Sequence, residues 1–173
     1  MENTDIYSNP LVSCSLERKP FTRLSIFLAG PTPRSRDVKS WRPEAVRLIL
    51  EEYGFRGNVY VPEYRQHIDE LKGFEYGEQI EWEHHYLDNC TAILMWVPRE
   101  METMPALTTN CEWGLYVKSG RLFYGRPPNA PKCSYLDYGY EKFNIRKPSD
   151  TLNELVLKTL NYIDRKAKEN YVN

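Results

Sequence analysis

Hydrophobic residues along the chain follow two alternating rhythms. Short continuous apolar runs, RLSIFLAG (23–30), NVYVPE (58–63), TAILMWVP (91–98) and RLFYG (121–125), are bounded by Gly, Pro or polar residues and predict buried strands. Between them lie stretches of helical period. Trp41, Ala45, Leu48, Ile49 and Tyr53 form one stripe, predicting a helix capped by Ser40 and stopped by Gly54. GEQIEWEHHYLDNC (77–90) predicts a second helix and CEWGLYVKSG (111–120) a third. TLNELVLKTLNYIDRKAK (151–168) predicts a last one, with Thr151 and Glu154 at capping-box spacing. Strands alternating with helices predict an α/β fold with a parallel sheet covered on both faces. In such sheets ligands bind beyond the carboxyl ends of the strands. There the sequence places three loops: GPTPRSR, VPEYR and PREMETMPALTTNCE.

The length, 173 residues, suits one domain over 21–168, with a flexible N-terminal arm at 1–20 and a tail at 169–173. A net charge of −1 argues against a surface for nucleic-acid polymers or membranes, and leaves small ligands as the expected partners. Cys14, Cys90, Cys111 and Cys133 are far apart and show no metal spacing, so no metal and no cofactor is expected. The polar, acidic start MENTDIYSNP is no signal peptide, and no run approaches the roughly 20 apolar residues of a membrane span, so a cytoplasmic protein is expected.

Four groups of residues are candidates for chemistry. Glu112 follows a hydroxyl-rich loop, PALTTN, at a helix start. Either Thr108 or Thr109 caps the helix and the dipole favours an acid in its first turn, or the loop presents an ionised carboxylate to a ligand. Glu83 interrupts the apolar stripe Ile80, Leu87, Cys90, where a buried charge requires a partner or a task. Glu81 and His84 have the spacing of a helical metal pair, but no second pair exists to complete a site. Arg34, Ser35 and Arg36 could cradle a phosphate after the first run, or simply face water.

IFLAGP, SWRPEA, VYVPE, the pair QIEWE…LDNCTAILMWVPR, and PALTTNCEWGLYVKSGR together resemble the nucleoside 2-deoxyribosyltransferases over roughly residues 23 to 136. The likeness is greatest to their deoxyribosyltransferase-like branch, which is related to 2′-deoxynucleoside 5′-monophosphate N-glycosidases. The resemblance implies a flavodoxin-like, Rossmann-like three-layer sandwich and cleavage of an N-glycosidic bond, by hydrolysis or by transfer to a new base. It places the family's nucleophile on Glu112 and its base-orienting acid, usually an aspartate, on Glu83. Gly30, Arg34, Ser35, Arg36, Glu63, Trp82 and Asn110 are the expected substrate-binding residues, and the resemblance implies a homo-oligomer whose subunits complete one another's pockets. Two positions depart from the family pattern. Ala106 and Leu107 stand where many relatives carry an aspartate, and Ile26 and Phe27 stand where several carry a tyrosine. Two other readings remain open at this level: a glycohydrolase of another nucleotide (a ribonucleotide or dinucleotide), and a non-catalytic nucleotide-binding sensor.

Overall fold

Each of the four continuous apolar runs forms a strand, and a fifth strand comes from a segment with no such signal. The computed structural model describes residues 6–20, 24–35, 37–65 and 75–169. The strands are β1 (Val12–Cys14), β2 (Ser25–Ala29), β3 (Asn58–Val61), β4 (Ala92–Trp96) and β5 (Leu122–Gly125). They make one parallel sheet in the order β1-β3-β2-β4-β5. The strand residues are buried, as their uninterrupted apolar character requires of a sheet covered on both faces.

Side-chain alternation divides the core in two. Ile26, Leu28, Val59, Val61, Leu94 and Phe123 point to one face. There they meet α1 (Arg42–Arg47), which continues as a π-helical turn over Leu48–Glu52, and α5 (Leu152–Glu169). Phe27, Tyr60, Ile93, Met95 and Tyr124 point to the other, beneath α2 (Tyr76–Asn89), α3 (Leu107–Tyr116) and α4 (Ser134–Asn144). This is the three-layer, flavodoxin-like α/β sandwich. From β2 the chain crosses through α1 to β3 on one side; from β3 it returns through α2 to β4 on the other. The topological switch point therefore lies between β2 and β4.

Several expectations are corrected. Over its described residues, 6–20, the N-terminal segment is no loose arm: Val12 and Ser13 pair with Val59 and Tyr60, and Val12 and Cys14 are fully buried. A three-residue strand is too short to show a period. Ser40 is not the helix N-cap, which is Trp41, although its Oγ accepts the Arg42 N–H at 3.2 Å. The stretch 134–144 is a helix that the periodicity of 111–120 and 151–168 did not anticipate, because its buried face, Leu136, Gly139 and Tyr140, holds one aliphatic residue. Thr151 does cap α5, accepting the Glu154 N–H at 3.2 Å. Among the described residues no helix is long and apolar enough to cross a membrane.

Candidate active site

The loops after β2 and β4 face each other across the switch point and enclose a cleft of about 300 Å³. That is the lower end of the range for small-molecule sites, about 300–1,000 Å³. Gly30 makes the closure possible. Its φ is +141°, and a Cβ there would lie 2.2 Å from the Trp96 carbonyl oxygen, so only glycine lets the turn rest against the end of β4. The Arg34 N–H donates to the Thr103 carbonyl at 3.0 Å, tying the two loops together. On the far side the chain reverses at Ala106, a left-handed residue with φ +60°, and enters α3 directly.

That reversal changes the setting of Glu112. The helix begins at Leu107, so Thr108 and Thr109 lie inside its first turn and cap nothing, and Glu112 falls in the second turn. The dipole acts mainly over the first turn and does not hold this carboxyl ionised. Burial, and then the neighbouring Glu83 carboxyl, push Glu112 up to about 8, with Arg42 opposing. Glu83 reaches the same cleft from α2. Burial raises it too, against a hydrogen bond from Gln79 Nε2 at 2.9 Å and the Arg42 charge. Gln79 is itself held by the Tyr64 hydroxyl, which donates to its Oε1 at 2.6 Å. Two acids that each disfavour the other's charge titrate as a pair.

Arg42, from the start of α1, lines the cleft and is 1% exposed. Its guanidinium donates to the carbonyls of Leu28 (3.0 Å), Gly30 (2.5 Å) and Pro31 (3.4 Å), to Thr32 Oγ1 (3.0 Å) and to Glu63 Oε1 (2.8 Å). Sequence reasoning missed it; the one available signal was an arginine at the first position of a helix whose neighbours are apolar. Glu63 does not line the cleft. It lies behind Arg42, accepting from Ser40 Oγ at 2.5 Å and from the Tyr7 hydroxyl at 2.8 Å. Burial works against its charge, but Arg42 and these donors outweigh it and hold Glu63 below the usual carboxylate range.

Of the other predicted residues, Gly30 and Arg34 line the cleft. Ser35 is exposed and bonds with Asp37, outside the lining. Arg36 lies outside the described residues. Asn110 is on another flank of α3, accepting a hydrogen bond from Arg99. Trp82 is buried against Phe27 and Tyr86 and donates its indole N–H to the Glu17 carbonyl at 2.8 Å. Glu81 and His84 are exposed. Lining residues not anticipated include Pro62, Tyr76 and Thr109.

A cleft offering two coupled carboxyls, a buried guanidinium and a loop arginine is equipped for nucleophilic attack combined with protonation of a leaving group. No curated protein matches the chain at a significant level. The family model described as "Nucleoside 2-deoxyribosyltransferase like" matches residues 23–129, which include β2 to β5, both carboxyls and every residue of the cleft. The chain belongs to the nucleoside 2-deoxyribosyltransferase-like family, whose chemistry is glycosyl transfer at N-glycosidic bonds.

Proposed function

We propose that the protein cleaves or transfers the N-glycosidic bond of a 2′-deoxynucleoside or its 5′-monophosphate through a covalent glycosyl–Glu112 intermediate. The observation that carries this reading is the convergence of Glu83 and Glu112, from two different helices, on one cleft at the topological switch point. In the productive state the pair holds one proton, on Glu83. The Glu112 carboxylate attacks C1′, the C1′–N bond breaks, and the departing base takes the Glu83 proton. Water or a second base, losing a proton to the Glu83 carboxylate, then attacks C1′; the C1′–O bond to Glu112 breaks, its carboxylate is released, and configuration is retained. A sugar without a 2′-hydroxyl reaches the oxocarbenium-like state more easily, which favours deoxyribose. Glu112 is protonated more readily than a free carboxyl, so substrate binding must leave the proton on Glu83; the Arg42 charge opposes protonation of both carboxyls and so favours a pair with one of them ionised.

Arg34, exposed on the cleft rim, suits the 5′-phosphate, because a guanidinium bonds a dianion far better than a hydroxyl. The partner subunit of a homo-oligomer completes the cleft. The support for this is the exposed apolar outer face of α3, where Leu107 and Leu115 are 62% and 64% exposed and Leu107 also lines the cleft.

The test is incubation with a panel of 2′-deoxynucleosides and their 5′-monophosphates, with and without a free acceptor base, following released or exchanged base by chromatography. The monophosphate is expected to show the higher kcat/KM. Arg34→Ala should remove most of that advantage, about 10-fold or more. Equal rates for both substrate forms, unchanged in the variant, would remove the phosphate from the proposal. No base release from any substrate would remove the reaction.

A further inference from the structure

Arg42 is bonded to five protein acceptors, so no simple role as a substrate-binding side chain accounts for it. Its nearest anion, Glu63, is itself bonded by Ser40 and Tyr7. Three of the five acceptors are carbonyls at the end of β2 and in the turn beyond it. The guanidinium is thus fixed in place by the backbone that shapes the cleft. Among the described residues lining the cleft it is the buried cation; Arg34 is exposed.

We propose that Arg42, anchored by Glu63 and the 30–32 turn, is a positioning residue that supplies the buried positive charge shared by Glu83 and Glu112. The inference rests on the proposed function for its consequence, but its test reads titration and not turnover, so the two fail separately. The placement of the charges carries it. One buried cation serves three carboxyls: Glu63, paired with it at 2.8 Å outside the cleft lining, and Glu83 and Glu112, which line the same cleft as Arg42. Glu63 is held ionised by its donors and already balances Arg42, so a second negative charge on the front pair would stand against no unpaired buried cation among the described residues of the cleft. Among the described residues, the other charged or titratable groups near the pair include Arg34 on the β2 loop, Tyr76 and His84 on α2, and Tyr64, which feels the Glu83 charge and also holds Gln79. Tyr7 donates to Glu63 and feels the Arg42 charge.

The position of Arg42 between two anions gives opposite signs for two substitutions that break the same ion pair. Arg42→Met removes the cation, so the Glu83–Glu112 pair should titrate higher, by about one pH unit. Glu63→Gln removes the anion behind it and leaves Arg42 unopposed, so the pair should titrate lower. The readout is the side-chain carboxyl ¹³C shift of glutamate-labelled protein, with the two signals assigned by Glu83→Gln and Glu112→Gln. Shifts of opposite sign support the assignment. Shifts of the same sign in both variants, as a merely structural bridge would give, overturn it. Should Arg42→Met not fold, Glu63→Gln decides alone: a downward shift supports the proposal, and an unchanged or upward one overturns it.

Discussion

At the scale of the residue, the site is governed by where charge is permitted. Glu112 carries no first-turn dipole benefit, and its surroundings raise it from the ordinary 4.5 to about 8. The folded state therefore binds this proton more tightly than the unfolded chain does. The associated stability is fully present below about pH 4.5, declines as pH rises and is lost once pH passes about 8. Glu112→Gln, which cannot ionise, should not share that decline. The melting temperature of the variant relative to wild type should rise between about pH 5 and about pH 8.5, by about 2–4 °C for each kcal/mol that the wild type loses. A difference that stays constant across that range would mean that Glu112 is not held in a charge-disfavouring setting. Glu63 shows the contrast. It is also buried, but surrounded by Arg42, Ser40 and Tyr7 it keeps its charge. Burial alone does not decide; the partners do.

At the scale of the element, α3 is the critical piece, since it carries Glu112 and is seated by contacts far from the cleft. The buried Trp113 ring lies against Gly139 of α4, where an added Cβ would come within 2.4 Å of it. Gly139→Ala should push the ring, and α3 with it, at a cost of about 1–3 kcal/mol. Thermal melting should show the loss; an unchanged melting temperature would mean that α3 is not held from this side. Most of the elements were legible in the sequence, because continuous apolar runs and periodic stripes are strong signals. Four strands and four helices followed from them. What was not legible was set by tertiary context: β1, three residues long, exists through its pairing with β3, and the start of α3 depends on a left-handed Ala106 that no propensity favours. The same limit applied at the site. Glu83 and Glu112 could be singled out as an acid in an apolar stripe and an acid after a loop. Arg42 could not, because its role depends on carbonyls brought to it by the fold.

At the scale of the whole molecule, the sheet order brings the β2 and β4 loops together, while α3 leaves Leu107 and Leu115 in solvent, and Tyr135 and Tyr138 of α4 are exposed as well. Light scattering at micromolar concentration should give a dimer or larger, and Leu115→Glu should shift it toward the 20.5 kDa monomer. A wild-type monomer would count against subunit-completed pockets. The account as a whole turns on one bond, between Glu112 and the sugar. Mass spectrometry after incubation with a 2′-fluoro-2′-deoxynucleoside or its 5′-monophosphate tests it most directly, because the fluorine slows release of the glycosyl–enzyme ester. The account predicts a gain of one fluorosugar, with or without its phosphate, on the peptide containing Glu112, absent from Glu112→Gln. Its contradiction would be undiminished base release by a folded Glu112→Gln protein, or an adduct carried on another residue.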